Sequence, residues 1–171
     1  MSNHLAIATV TETLKNIVQT AVVSSTAMTG AKVTAGLPSD KIKESRVNIY
    51  LYEVKPNPFL RNQDLAPGFP PAMAINLNYL LSFYGDETKQ EPQRLMGRVI
   101  SAIHAEPTLN KQTIKEVIAA TEHITNSNLD ASVEDITLTP SVFLRRKRLK
   151  YGRHFRRPLP CLWVMRPALF L

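Results

Sequence analysis

The side chains able to do chemistry are scattered along this chain. His4, His104, His123 and His154 have no second ligand at a useful spacing, so they read as surface or helix-end residues, not metal ligands. Cys161 is the one cysteine, which excludes an intrachain disulfide and a cysteine-cluster metal site. Its presence alone fits a chain made in a reducing compartment. Glu87, Glu91 and Glu106 fall at helix ends, where carboxylates are solvated or cap backbone. There is no Gly-rich phosphate loop and no Gly-x-Ser-x-Gly turn. Nothing assembles a nucleophile, a base and an orienting group, so no enzyme, cofactor or metal is expected.

Two polar groups remain. Arg61, Asn62, Gln63 and Asp64 follow Pro56-Asn-Pro-Phe-Leu60 in a loop that runs on to Pro71. Asn and Asp bond nearby backbone readily, and Arg61 can pair with Asp64, so loop self-capping is one reading. Subunit contact is the other, since arginine supplies directional hydrogen bonds at interfaces. The second group is basic. Residues 145 to 171 hold nine of the 21 lysines and arginines and no acid, whereas the rest of the chain has 12 bases against 14 acids. The net charge of +7 therefore belongs to the tail. Read literally, Arg145 to Arg157 is a polycationic patch with aromatics, a candidate contact for nucleic acid.

The elements that position these groups are legible from periodicity. Ile7, Val10, Leu14, Ile17, Val18 and Ala21 predict a helix over 4–24 with Ser2 or Asn3 as its cap. A short strand is expected at Lys32–Thr34 and a turn at Leu37–Asp40. Val47, Ile49 and Leu51 alternate with Asn48, Tyr50 and Tyr52, and Met73 to Ser82 alternate likewise, which predicts two strands. The five prolines and one glycine between them forbid a regular element there. Leu95, Met96, Val99, Ile100 and Ile103 predict a second helix with Pro92 in its first turn. Gly97 inside it suits a close approach to the sheet, or nothing in particular. Ile114, Val117 and Ile118 predict a shorter helix, with Ile124 at its limit, then a turn over 126–130. Val133 to Thr139 reads as a third strand ending at Pro140. The order implies an α+β fold, an antiparallel or mixed sheet with helices mainly on one face. The length of 171 residues suits one domain. Neither a signal peptide nor a bilayer-spanning run is expected, which places synthesis in the cytoplasm.

The segments Asn48-Ile-Tyr-Leu-Tyr-Glu-Val-Lys-Pro-Asn-Pro-Phe-Leu-Arg-Asn-Gln-Asp-Leu65 and Pro70-Pro-Ala-Met-Ala-Ile-Asn-Leu-Asn-Tyr-Leu-Leu-Ser-Phe-Tyr-Gly85 carry a resemblance. They resemble the N-terminal domain of the cap, or tube-and-sheath terminator, of extracellular contractile injection systems of the virulence-cassette and antifeeding-prophage type. The resemblance covers roughly residues 5 to 140. It implies a phage tail-terminator-like fold and a structural cap, a homo-hexamer ring at the baseplate-distal end of a particle released from the cell. Its partners would be further copies of itself, the tube protein and the sheath protein, with no membrane and no nucleic acid. Pro56, Asn57, Pro58, Phe59, Leu60, Arg61, Asn62 and Asp64 would then lie at a subunit, tube or sheath interface.

The tail departs from that pattern, which calls for a short helix with a Lys-Ile/Leu-Trp-Ser-Ala-Phe-like segment and then a last strand. Joining the third base of each codon to the first two of the next restores it. Tyr151 with Gly152 can give Trp, Trp163 with Val164 must give Gly, and Val164 with Met165 can give Tyr. The shifted frame can spell Lys-Ile-Trp-Ser-Ala-Phe and later Leu-Ser-Leu-Gly-Tyr-Glu-Ala-Ser-Pro-Val. Residues 1–140 thus form the domain. Residues 141–171 are its final helix and strand if the printed tail is an out-of-frame reading, and a basic C-terminal tail otherwise. The first case predicts a helix from about Ser141 to Phe155 and a paired or central strand from about Pro160 to Phe170.

Overall fold

A computed structural model describes residues 3–23, 30–39, 42, 44–57, 74–131 and 136–141, and the backbone of 162–170. Helix α1 is Ala6–Val23, strand β1 is Lys32–Ala35, β2 is Arg46–Pro56 and β3 is Ala74–Tyr84. Helix α2 is Glu91–Ala105, β4 is Thr108–Leu109, α3 is Lys111–Ala120, β5 is Ile136–Ser141 and β6 is Leu162–Phe170. The strands form one mixed sheet in the order β1-β2-β3-β6-β5-β4. β1 runs parallel to β2, and the other pairings are antiparallel. This is the expected α+β architecture.

The core lies between the sheet and the helices. Val47, Ile49, Ile75, Leu77, Tyr79, Leu81 and Phe83 project toward Val10, Leu14, Val18, Leu95, Val99 and Ile103. Alternation along a strand puts one residue in two on this side. In β2 the count is reset by a bulge between Leu51 and Glu53, where Tyr52 is the extra residue. Val54 then pairs with Leu77 on the helical side and Glu53 with Asn78 on the other.

Helix α1 is rolled relative to the expected stripe. Its buried residues are Ala6, Thr9, Val10, Thr13, Leu14, Val18 and Val22, while Ile7, Ile17 and Ala21 are half-buried. The two threonines tolerate burial because each hydroxyl bonds the carbonyl four residues back, Thr9 to Leu5 at 3.0 Å and Thr13 to Thr9 at 2.8 Å. Asn3 caps the helix by accepting from Leu5 N–H at 3.1 Å, and its own backbone N–H donates to Asn128 Oδ1 at 2.7 Å. The loop expected over 126–130 is thereby tied to the start of α1.

Helix α2 buries Pro92, Leu95, Val99 and Ile103, with Met96 half-buried. Ile100 is a correction: it is 37% exposed and flanks the stripe instead of joining it. For Gly97 the plainer of the two readings holds: it is exposed, and a Cβ built there meets nothing within 4 Å, so no close approach to the sheet requires it.

The edge strand β1 is blunted from its own chain. Gln19 of α1 donates to Ala31 C=O at 3.4 Å and accepts from Val33 N–H at 3.0 Å, taking the place of a further strand. At the other end of the order, β4 is a two-residue strand that the sequence did not announce. β5 begins at Ile136, buries Ile136 and Leu138, and continues through Pro140, which pairs with Met165. The strand expected near 160–170 is present as β6 and lies between β3 and β5. The helix expected over Ser141–Phe155 lies outside the described residues, apart from Ser141, which ends β5.

Candidate functional site

The face of the sheet turned away from the helices carries the polar residues of β2 and β3. Cross-strand partners there are Arg46 with Tyr84, Asn48 with Ser82, Tyr50 with Leu80, Glu53 with Asn78 and Lys55 with Asn76. They are wired together. Asn48 Nδ2 donates to Gly36 C=O at 2.8 Å, and its Oδ1 accepts from Thr34 Oγ1 at 3.1 Å. Asn78 Nδ2 donates to Glu53 Oε2 at 3.0 Å, and Lys55 Nζ lies 2.8 Å from Glu53 Oε1. Although polar, this face is covered, since Asn48, Asn78, Ser82, Leu80 and Tyr84 are all buried. A contributor to the cover is the segment after β1, where Ser39 N–H donates to Tyr84 Oη at 3.2 Å. Ser82 Oγ and Arg46 Nε are buried with no hydrogen-bond partner among the described residues.

The expected interface loop leaves from one end of this ladder. Pro56 is the last residue of β2 and is exposed, as suits a residue without an N–H to donate. Asn57 is buried; its N–H donates to Ala74 C=O at 2.8 Å and its Nδ2 to Asn76 Oδ1 at 3.2 Å. Asn57 therefore holds the loop's stem to β3. Pro58, Phe59, Leu60, Arg61, Asn62, Gln63 and Asp64 lie outside the described residues, as do His154, Cys161 and the basic run 145–157.

The ladder's other end is a carboxylate joint. Glu91 Oε2 accepts from Ser45 Oγ at 2.5 Å and from Asp86 N–H at 2.9 Å, linking the start of β2, the end of β3 and the start of α2. Gly85 makes the joint possible: its φ is +154°, and a Cβ would come 2.7 Å from Glu91 Oε2. These bonds favour the charged form, so Glu91 sits below the ordinary glutamate range, first through Ser45 and then through the Asp86 amide. Asp86 is lowered in the same way by Thr88, whose hydroxyl and N–H it accepts at 2.6 and 2.9 Å. The sequence had placed Glu87 and Glu91 at a helix end, and Glu91 is the one that bonds across elements.

Chemistry of other kinds is not assembled among the described residues. They contain no group of three His, Cys, Asp or Glu able to hold a metal ion, and no helix long and apolar enough to cross a membrane. His123 Nε2 lies 3.8 Å from Glu12 Oε1, while no ion pair joins His4 or His104 to a carboxylate there.

The family model described as the Pvc16 N-terminal domain matches residues 9–143. No curated protein sequence matches the chain. Among solved structures, the fold is similar to the sheath/tube terminator, in its extended state, of a PVC extracellular contractile injection system. That similarity has a TM-score of 0.66 at 13% identity and covers 96% of this chain and 56% of the terminator. The chain thus spans little more than half the length of that protein.

Proposed function

That the chain belongs to the Pvc16 N-terminal domain family is the premise from which we propose its function, a structural cap that terminates the tube and sheath of an extracellular contractile injection particle. The observation that carries this reading is the family match over residues 9–143, with the shared fold of a sheath/tube terminator beside it. The cap binds the last tube and sheath rings at the baseplate-distal end, as a six-fold ring of identical subunits, and performs no catalysis. A closed ring needs heterologous contacts, in which two different faces of each subunit meet. The loop from Pro56 through Arg61 to Asp64 supplies a contact to a neighbouring subunit, tube or sheath.

Electron microscopy of purified particles tests the reading. Density for this domain at the tip, and open-ended or overlong tubes when its gene is deleted, are expected. A protein that never associates with tube or sheath overturns it. For the loop, Arg61→Ala is expected to impair assembly at unchanged thermal stability; the reverse outcome assigns Arg61 to loop capping.

β6 pairs Leu162 to Phe170 into the sheet, while the basic run 145–157 of the nucleic-acid alternative lies outside the described residues. The family match ends at residue 143, where the basic composition begins. Both facts support a final strand written out of frame. Resequencing the gene tests this, and a confirmed uninterrupted frame overturns it. A salt-dependent DNA-binding assay with and without residues 145–171 tests the nucleic-acid alternative directly.

A further inference from the structure

The β1 edge of the sheet is occupied by a side chain that imitates backbone. Lys32 N–H donates inward to Ser45 C=O at 3.2 Å, and just past the strand Gly36 N–H donates to Ile49 C=O at 3.0 Å. The alternate residues therefore turn their backbone groups out of the edge: Ala31 C=O, Val33 N–H, Val33 C=O and Ala35 N–H. Gln19 takes two of these four. Its Nε2 donates to Ala31 C=O at 3.4 Å, and its Oε1 accepts from Val33 N–H at 3.0 Å. A donor to the residue before Lys32 and an acceptor from the residue after it are the two bonds that one residue of a parallel neighbour would make opposite Lys32.

Little edge remains beyond the side chain. The next such position, opposite Thr34, would use Val33 C=O and Ala35 N–H, and neither is bonded to another described residue. After it Gly36 turns to a φ of +148°, and Pro38 has no N–H to offer. Gln19 is also well held. It is half-buried on α1 beside Val18 and, one turn on, Val22, both fully buried, and α1 packs on β1. The exposed Lys32 adds a charge that a like strand would have to meet.

We propose that Gln19 is an edge guard: its side-chain amide stands in for one residue of a parallel strand opposite Lys32 and keeps the β1 edge of one copy from pairing with that of another. Every copy carries the same edge, so the strand most available to an uncovered β1 is the β1 of another copy. Copies joined in that way across a two-fold axis form closed pairs. The guard acts whatever the chain assembles into.

Residue-resolved amide hydrogen exchange of the purified chain, with sedimentation velocity across a concentration series, tests the guard. In the wild type the Val33 amide is expected to exchange at least tenfold more slowly than the Ala35 amide, although both face out of the edge. Those rates decide the bonding without any substitution. Gln19→Ala is expected to abolish the difference while the Val47 and Ile49 amides of β2 stay protected, and to self-associate at least tenfold more tightly than wild type. Gln19→Glu can accept from Val33 but cannot donate to Ala31, so it is expected to fall between the two. Adding Ala35→Pro to Gln19→Ala removes the last outward N–H and is expected to return association to the wild-type level. A wild-type Val33 amide that exchanges as fast as Ala35 overturns the guard. So does a Gln19→Ala chain that associates no more tightly than wild type. Either result leaves the cap reading standing, since that reading falls only if particle tips lack the protein.

Discussion

The two faces of β3 are both buried, yet they are built by opposite rules. On the helical side Ile75, Leu77, Tyr79, Leu81 and Phe83 ask for volume and little else; the one hydroxyl, Tyr79, shares a 2.7 Å hydrogen bond with Thr11. On the other side Asn76, Asn78 and Tyr84 take polar partners, Asn57 in the loop's stem, Glu53 on β2 and the Ser39 amide after β1, while Ser82 Oγ has none among the described residues. A wholly apolar face is forgiving of small shifts, since dispersion and water exclusion are non-directional. A wired polar face is not, because an amide displaced by an ångström loses its bond and keeps its desolvation cost. The difference suggests a division of labour: the helical side supplies stability, and the far side fixes the register and direction of the strands whose loop leaves at Pro56.

Substitutions along β3 break or sharpen that contrast. Phe83→Ala, on the apolar side, is expected to cost about 3–5 kcal/mol in urea unfolding, the range for truncating a buried aromatic. Gly85→Ala, at the strand's end, forces a Cβ against Glu91 and is expected to cost about 1–3 kcal/mol, read the same way. Asn78→Ala is expected to cost about 1–3 kcal/mol by stranding part of Glu53. A double-mutant cycle with Glu53→Ala is expected to show the pair coupled; additive effects break the wired-face account. Ser82→Ala, one residue from Phe83, removes a buried hydroxyl that has no partner among the described residues and is expected to be neutral or stabilising by less than about 1 kcal/mol. A large loss there would mean that this oxygen has a partner after all.

Acid probes the rim between the two faces. The folded-state carboxyls of Glu91 and Asp86 are both lowered, so their stabilisation is complete above the unfolded carboxylate range and is lost as pH falls through the folded values. Melting temperature is therefore expected to fall below about pH 4.3, the ordinary glutamate value. Glu91→Gln is expected to flatten that acid limb and to lower stability at neutral pH. An unchanged acid limb would remove the joint from the account.

The sequence displayed those features that repeat. The alternation of β2 and β3 and the Leu95-Val99-Ile103 stripe of α2 are periodic, and burial follows them. It concealed features that depend on one residue's surroundings. Ile100 has the composition of a core residue, and only the roll of α2 turns it outward. Thr9 and Thr13 look like surface positions in a helix until their back-bonding to the preceding turn is known. The bulge at Tyr52 leaves no mark in the pattern, because Tyr50, Leu51 and Tyr52 are all amphipathic or apolar. At the expected loop site the sequence named Pro56 and Asn57 together with Arg61. The structure shows Asn57 bonded internally to β3, while Arg61 lies outside the described residues.

The order of strands has a consequence for how the chain comes together. β6 is the last strand in sequence and occupies an inner place, with β1, β2 and β3 on one side and β5 and β4 on the other. Until β6 has been made, the β1-β2-β3 and β5-β4 groups lack the strand that joins them. The gap between them is filled by residues made about 20 positions after β5 has left the ribosome. Joining across such long sequence separations slows folding and leaves edges open to stray pairing in the meantime. Errors near the end of the reading frame therefore strike the middle of the sheet, and a clipped or miscoded tail is felt as a missing keystone, not as a frayed end.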